Sequence, residues 1–384
     1  MGTRRKILFL IESMAGGGAE KVLTTLLKHI NIEKFDVTLC SIVNTGKYTE
    51  EVQRLAKYTY IIPNWDDCKT LWQRLKYQML YKLIYSLLPL NWVYSWFIPK
   101  GNDIEIAFVE GFATKLLSKA RSNTKKIAWV HCDLVNHHWI SSIYRDINEE
   151  RLSYEKFDNV IGVSESASQA ITTLYGNNVN ITTIYNPVDA TEIINKSIES
   201  TPTCNKSKDN IRICSIGRFV QAKAFDRLLR IINRLRDEGI AVELWILGDG
   251  QLRPVYEEYI VQNNLQQIVT LWGFQSNPYS YLSQCDIFAC SSITEGYSLV
   301  IAEAIVLGIP IISTNCAGPA ELLADSKYGI LVDNDEESIY HGLKKMVTDS
   351  EFRNQYVQQP LETSKFFDIK LFNKKIESIL STDR

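Results

Sequence analysis

The sequence predicts an α/β protein of two domains, each built on a parallel β-sheet with helices on both faces. Short continuous apolar runs, such as residues 6–11 and 242–247, alternate with segments of helical periodicity. This pattern is typical of strands buried on both faces of a parallel sheet. The alternation starts again at residue 211 after a polar stretch, and a chain of 384 residues is long enough for two domains.

Composition narrows the class of protein. The hydrophobic fraction of 45% and the charged fraction of 22% indicate a folded globular chain, and the net charge of −2 gives no general argument for nucleic-acid binding. Eight cysteines lack the spacing of a metal site, and several interrupt apolar strands, so we expect buried thiols in a reducing compartment. The first apolar run is short and is broken by Glu12, which predicts a strand and not a signal peptide.

The domain boundaries follow the changes in composition. We assign residues 1–189 to the first domain, 190–210 to a polar linker and 211–360 to the second domain. The first strand is followed by the glycine cluster 16–18, which lacks the spaced G-x-G-x-x-G of dinucleotide binders. These glycines either let a helix pack closely on its strand or let the backbone approach a phosphate or an acceptor.

Residues 69–98 have an unusual composition. Tryptophan, tyrosine and leucine are mixed with four basic residues, and the segment contains no acidic residue. Amphipathic segments of this kind lie in membrane interfaces, although a helix packed on its own domain remains the alternative. No stretch of about 18 uncharged apolar residues occurs, so we expect no membrane-spanning helix.

One histidine has a position that suggests function. Residues 126–130 predict a strand that places His131 at its carboxyl end, where ligands bind in parallel sheets. A lone histidine can equally be structural. His137 and His138 follow in a loop-like run without the spacing of a metal site, so we expect no bound metal.

The most informative stretch covers residues 294–303. It follows a buried strand at 284–290, so Glu295 stands at a carboxyl end and Gly296 allows a tight turn into a helix. The first backbone N–H groups of that helix, at residues 297–299, form an anion site. Glu295 alone could be a capping acid and Glu303 alone a solvated helical acid. Together they suit a nucleotide sugar, which carries hydroxyl groups on both sides of a diphosphate.

The ordered set of motifs resembles the retaining glycosyltransferases of family 4. The resemblance rests on Glu295-x7-Glu303, Gly217-Arg218-Phe219 with Lys223, Gly248-Asp249-Gly250, Ala317-Gly318-Pro319-Ala320-Glu321 and Gly16-Gly17-Gly18-Ala19-Glu20. It implies the GT-B fold, in which two Rossmann-like domains have parallel sheets facing across a cleft. It also implies a last helix, within residues 361–384, that crosses back to the first domain. Ala222 and Ala224 flank Lys223, where family members often have a glycine after the lysine.

The resemblance also implies roles for individual residues. Catalytic roles fall to four side chains: Arg218, Lys223, Glu295 and His131. Donor contacts fall to ten residues: Gly17, Gly18, Gly217, Gly248, Phe274, Gly296, Tyr297, Ser298, Leu299 and Glu303. In this scheme the cations receive the negative charge of a departing diphosphate, for which a preorganised site is the obvious device. No carboxylate nucleophile and no metal-binding D-x-D sequence stands out, so we expect neither a metal nor another cofactor.

The predicted function is therefore retaining transfer of a hexose or N-acetylhexosamine from a nucleotide sugar, most commonly a UDP-sugar in this family. The resemblance to bacterial capsular and cell-surface polysaccharide enzymes implies a lipid-linked or polysaccharide acceptor. It also implies a cytoplasmic protein on the inner face of the membrane, bound through residues 69–98. Two alternatives stay open: a nucleotide-sugar epimerase on the same scaffold, and a non-catalytic nucleotide-sugar-binding module.

Overall fold

The computed structural model describes residues 4–120, 123–199, 210–323, 328–357 and 369–382. The chain divides into two compact units, of which the first holds Met1–Pro187 with Ile369–Arg384 and the second holds Val188–Asp368. Each unit is an α/β layer structure around a parallel sheet, which confirms the predicted fold class.

The first sheet contains seven parallel strands in the described part of the chain, in the order β3-β2-β1-β4-β5-β6-β7. The strands are β1 (Arg5–Ile11), β2 (Phe35–Val43), β3 (Lys57–Ile62), β4 (Ile104–Ala107), β5 (Lys125–Val130), β6 (Asn159–Gly162) and β7 (Ile181–Thr183). The inner strand β1 is a continuous apolar run because both of its faces are covered, and Ile7, Leu8 and Phe9 are fully buried.

Helices alternate with these strands. They are α1 (Gly18–His29), α2 (Thr49–Leu55), α3 (Leu71–Lys82), α4 (Leu90–Phe97), α5 (Phe112–Ser118), α6 (Ile147–Tyr154) and α7 (Glu165–Tyr175). A π-helix at Leu83–Leu87 joins α3 to α4. Helix α3 begins with a capping box in which Thr70 and Gln73 exchange hydrogen bonds, and it contains no buried residue. Among the described residues, no helix is both long enough and apolar enough to cross a membrane.

The second sheet contains six parallel strands in the described ranges, in the order β10-β9-β8-β11-β12-β13. They are β8 (Ile211–Ile216), β9 (Val242–Leu247), β10 (Val269–Gly273), β11 (Ile287–Cys290), β12 (Ile311–Thr314) and β13 (Gly329–Val332). The helices of this unit are α8 (Ala190–Ser197), α9 (Phe225–Asp237), α10 (Arg253–Gln262), α11 (Tyr279–Leu282), α12 (Leu299–Val306), α13 (Ala317–Leu323), α14 (Glu336–Thr348) and α15 (Ser350–Asn354).

The first part of the segment predicted as a linker is a helix. Residues 190–197 form helix α8, which the Asp189 side chain caps by accepting a hydrogen bond from the Glu192 N–H at 2.9 Å. Ala190 and Ile193 are buried, and α8 packs against α11 and α12 within the second unit. The helix therefore belongs to that unit, because its apolar side has a core to cover. Residues 200–209 of the predicted linker lie outside the described residues.

The last described helix, α16 (Ile369–Ser381), packs on the first unit. Phe372, Ile376 and Leu380 form its buried side. The Lys34 ammonium pairs with Glu377 at 2.8 Å, and the Lys125 ammonium donates to the Ile379 carbonyl at 2.7 Å. The return of the chain to its first unit is thus held by an apolar face and by two lysines. The remainder of the predicted last segment, residues 361–368, lies outside the described residues.

Candidate active site

Two glycine turns at the ends of β8 and β9 approach each other closely. The Gly217 N–H donates to the Leu247 carbonyl at 2.9 Å, and the Gly248 N–H donates to the Gly273 carbonyl at 2.8 Å. Gly248 has φ +132°, and a Cβ atom on it would lie 1.9 Å from the Gly217 carbonyl oxygen. Only glycine fits there, and the two predicted motifs meet at one edge of the sheet.

Lys223 and Glu295, which are 72 residues apart in the chain, form an ion pair at this edge. Lys223 lies in a 3-10 turn, Gln221–Lys223, that leads into α9, and Glu295 follows β11. The Ser292 hydroxyl donates to the same Glu295 oxygen at 2.7 Å, so the carboxylate is held from two sides. The strands β8 and β11 are neighbours in the sheet, and this adjacency brings the lysine and the glutamate together.

The backbone on both sides of the ion pair is tied together. The Ser291 hydroxyl lies 2.9 Å from the Lys223 carbonyl and 3.1 Å from the Ala224 carbonyl, and it donates to them. The Ile293 N–H donates to the Ala222 carbonyl at 2.8 Å. Ala224 has φ +47°, the left-handed region in which the family often has a glycine, so the departure noted in the sequence is accommodated with some backbone strain.

The site contains two cationic side chains, the largely buried Lys223 and the exposed Arg218. Burial pulls the pKa of Lys223 down, but the adjacent Glu295 carboxylate outweighs burial, so that the pKa is raised overall and the ammonium stays charged. The Arg218 guanidinium is close enough to oppose that rise. Arg218 is exposed and makes no hydrogen bond or ion pair with a described side chain. Its five N–H donors are available to an anion.

The start of α12 supplies further donors beside the ion pair. Ser298 is the N-cap residue, and its side chain makes no capping hydrogen bond. The N–H groups of Ser298 and Leu299 donate to no described residue, and the buried Ser298 hydroxyl also has no partner among them. The Gly318 N–H donates to the Glu295 carbonyl at 3.2 Å, which holds the turn at Gly296 and Tyr297. A helix N-terminus with unpaired amides is an arrangement that suits an anion.

Glu303 lies inside this unit. It is only 2% exposed, which rules out the solvated helical acid that the sequence left open. The Tyr279 hydroxyl hydrogen-bonds to it, and burial together with the Glu303 charge raises the pKa of that tyrosine. Phe274, half-buried, follows β10 at the same carboxyl edge of the sheet.

His131, Gly17 and Gly18 belong to the first unit. The backbone N–H of His131 donates to the Glu110 carboxylate at 2.9 Å, and the ring nitrogen Nε2 lies 2.8 Å from the Phe108 carbonyl. Because a carbonyl only accepts, Nε2 carries the proton and Nδ1 is left as an acceptor. Burial lowers the pKa of His131 despite the Glu110 charge, so the ring is neutral near pH 7. Gly17 caps the start of α1, and Gly18 is its first residue.

Sequence reasoning missed two residues of the site in the second unit. Ser291 and Ser292 hold Lys223 and Glu295 in place, and their signal was their position directly after strand β11. Within the described residues no group of three histidine, cysteine, aspartate or glutamate side chains is placed to hold a metal ion. Five of the seven described cysteines are buried and all seven are free thiols.

Comparison with known proteins identifies the family. The profile described as glycosyl transferases group 1 matches residues 198–360, and the profile described as glycosyltransferase family 4 matches residues 16–192. The chain belongs to the family 4 glycosyltransferases. The predicted family is thereby confirmed, and the two matched segments correspond closely to the two units of the structure.

Relatives of this glycosyltransferase span its whole length. It is 27% identical to the N-acetylgalactosamine-N,N'-diacetylbacillosaminyl-diphospho-undecaprenol 4-alpha-N-acetylgalactosaminyltransferase of Campylobacter jejuni, covering 98% of this chain and 100% of that protein. It is 22% identical to the amylovoran biosynthesis glycosyltransferase AmsD of Erwinia amylovora, covering 98% and 99%. The structure of Anabaena HepE with UDP and glucose superposes with a TM-score of 0.75 at 18% identity, covering 99% and 100%. The last comparison establishes that the glycosyltransferase has the GT-B fold.

Proposed function

We propose that this glycosyltransferase moves a hexose or N-acetylhexosamine from a UDP-sugar to a lipid-linked oligosaccharide, with retention of anomeric configuration, in the synthesis of a cell-surface glycan. One observation carries the proposal. The Lys223–Glu295 pair, the unpaired Arg218 guanidinium and the free amides at the start of α12 lie at the carboxyl edge of one sheet. This arrangement offers positive charge to a diphosphate and a carboxylate to the sugar hydroxyls beside it.

The relatives support the choice of substrates. The Campylobacter jejuni protein is named for transfer to a diphospho-undecaprenol-linked acceptor with an α-linkage, and the Erwinia amylovora protein for synthesis of amylovoran. Anabaena HepE was crystallised with UDP-glucose as well as with UDP. An α-linked product made from an α-linked donor is retention, so proton NMR of the product linkage tests that part of the proposal.

Metal-independent transfer follows from the same charges. Arg218 and Lys223 supply the positive charge that a divalent metal ion supplies in other transferases. We therefore expect turnover to persist in excess EDTA. A requirement for added Mg²⁺ or Mn²⁺ would contradict this part of the proposal.

The proposed acceptor also calls for a membrane surface, and helix α3 provides a suitable face. Its outward stripe is apolar, with Trp72 at 81%, Leu71 at 72% and Met79 at 59% exposure. Residues 69–98 add four basic side chains and no acidic one. Aromatic and aliphatic groups flanked by lysine suit the interface of an anionic bilayer, so we place this face on the cytoplasmic membrane surface, on its inner side.

Nucleotide release from a donor panel tests the proposal. The protein is incubated with UDP- and GDP-sugars, with and without a membrane lipid extract, and free nucleotide is measured. We expect release from one UDP-sugar, stimulated by the extract and lost in Arg218→Ala. Release from GDP-sugars alone would overturn the UDP assignment. Epimerisation of the donor sugar without acceptor would instead favour an epimerase, and no reaction with any donor would favour a binding module.

A further inference from the structure

A row of neighbouring aromatic rings lies in the first unit. Successive ring centroids are 5.0, 6.1, 4.5 and 4.5 Å apart along the series Trp65, Tyr77, Tyr81, Tyr85 and Phe112. The three tyrosines are spaced four residues apart, so that they share one side of α3 and of the π-helix that follows it. π-Helices are rare and occur frequently at functional sites.

The position of the row is fixed by its two ends. Trp65 follows strand β3 and Phe112 follows strand β4, each beyond the carboxyl end of its strand. Because the strand order is β3-β2-β1-β4, the tyrosine row passes over the carboxyl ends of these four strands. This is the edge at which ligands bind in α/β sheets.

The Glu12 carboxylate contacts this row of rings at Tyr85. It follows β1, and it accepts a hydrogen bond from the Tyr85 hydroxyl. No other described side chain donates to it, and the residue is half-buried. Burial raises the pKa of Glu12, and the Tyr85 hydrogen bond opposes that rise.

A second tyrosine–glutamate pair shows what a purely structural contact looks like here. The Tyr94 hydroxyl donates to Glu105 at 2.5 Å, and both side chains are buried, with Glu105 only 1% exposed. In contrast, Tyr81 beside the Glu12–Tyr85 pair is 44% exposed. The Tyr81 ring is therefore partly exposed next to a half-buried carboxylate, whereas the Tyr94–Glu105 pair is buried.

We propose that Tyr81, Tyr85 and Glu12 form the binding site for the acceptor sugar. A pyranose ring lays its apolar face on the tyrosine rings, and one of its hydroxyl groups donates to the Glu12 carboxylate. The donor residues Arg218, Lys223 and Glu295 belong to the other unit, which leaves this site to the acceptor. The inference rests on the proposed transferase function and names the side chains that its acceptor contacts.

Transfer kinetics test the site. With the full chain, the reactive UDP-sugar and the stimulating lipid extract, we expect Glu12→Ala to raise the apparent KM for acceptor about 10- to 100-fold, as loss of a hydrogen bond to a charged group does. Tyr81→Ala should also raise this KM, because the ring contact with the sugar is lost. Nucleotide release without acceptor should stay within about twofold of wild type, because the donor residues are untouched. Tyr94→Phe is the matched control. An acceptor KM in Glu12→Ala equal to that of Tyr94→Phe would overturn the proposal.

A binding measurement separates this inference from the transferase proposal. Aromatic protons of the full-chain protein are saturated in the presence of methyl N-acetyl-α-D-galactosaminide, and saturation transfer to the sugar ring is recorded by NMR. We expect transfer with wild type and Tyr94→Phe, and its loss with Tyr81→Ala. Equal transfer with Tyr81→Ala, or none with wild type, would overturn the sugar site. Sugar binding without nucleotide release from any donor would refute the transferase and keep the site.

Discussion

Helices α12 and α3 stand at opposite extremes of burial. Helix α12 has eight residues, of which seven are buried, whereas α3 has twelve residues and none is buried. The first is fixed by the core of its unit, so its N-terminal amides keep one position. The second is held by its capping box, the tyrosine row and Trp65, and its outer side chains stay in water.

This difference in burial suits two different kinds of ligand site. The site around Lys223, Glu295 and the start of α12 has its charges and amides already in place, which is what stabilising a developing charge requires. The surface of α3 keeps apolar groups exposed, and their burial free energy is released only when something covers them. Changes at the start of α12 should therefore act on turnover, and changes on α3 should act on association.

The largest effect is expected at Arg218. Arg218→Ala should lower turnover about 10²- to 10³-fold, because one donor to the departing diphosphate is lost. The melting temperature should stay near wild type, since the side chain is exposed and bonds to no described residue. Steady-state nucleotide release and thermal unfolding check both. Arg236→Ala, which removes a half-buried arginine paired with Asp237 at the far end of α9, is the control. Equal turnover in the two variants would contradict the proposed role of Arg218.

Lys223→Ala should lose turnover to a similar extent but should also lose stability. The ammonium is paired with Glu295, and both side chains are largely buried, at 21% and 11% exposure. Removal of the lysine leaves a carboxylate with only the Ser292 hydroxyl beside it. Thermal unfolding of Lys223→Ala against Arg218→Ala measures this difference. The same melting temperature in both variants would contradict the ion pair.

Substitutions in the glycine turns at residues 217 and 248 test how rigid the site around Lys223 and Glu295 must be. Gly248→Ala should cost more than about 2 kcal/mol of stability, because a Cβ atom would lie 1.9 Å from the Gly217 carbonyl oxygen at φ +132°. Gly239→Ala is the control, since Gly239 also has positive φ (+75°) but meets nothing within 4 Å. It should cost only about 1 kcal/mol. Urea unfolding measures both, and equal costs would show that the close approach of the two turns is unimportant.

Vesicle binding tests the other side of the comparison. Substitution of Trp72, Leu75 and Met79 by serine should reduce sedimentation with phosphatidylglycerol-containing vesicles at least about tenfold, since each removes apolar area that the interface would cover. The control replaces Val255 and Val261, which are exposed apolar residues of α10 beside Glu257 and Glu258. Phosphatidylcholine vesicles should bind the wild type more weakly. Unchanged sedimentation of the triple variant would contradict membrane binding through α3.

Much of this arrangement could be predicted from the sequence, and the remainder depends on long-range packing. The strand at 287–290, the turn at Gly296 and the helix after it follow from apolar runs and glycine chemistry. The pairing of Lys223 with Glu295 depends on β8 and β11 being neighbours, which no local pattern encodes. Tyr85 and Glu12 lie 73 residues apart, and their contact depends on the packing of the first unit as a whole. Helix α8 escaped prediction because its polar composition resembles a linker, although Ala190 and Ile193 are buried.

The smallest expected effect is the pH dependence of the Lys223–Glu295 pair. The folded-state pKa of Lys223 is raised above the ordinary lysine value of 10.5, so the folded protein binds that proton more tightly than the unfolded chain. The stability that this proton contributes is fully present below pH 10.5 and is lost as pH rises through the folded-state value. The difference in unfolding free energy between wild type and Lys223→Met should thus be constant from neutral pH to about pH 10 and then fall. The same difference measured in a Glu295→Gln background should be smaller, because the partner that raises the pKa is gone. A rise in this difference as the pH increases towards 10.5 would mean that burial outweighs the carboxylate and lowers the folded-state pKa, and the preformed cation at this edge would then have to be abandoned.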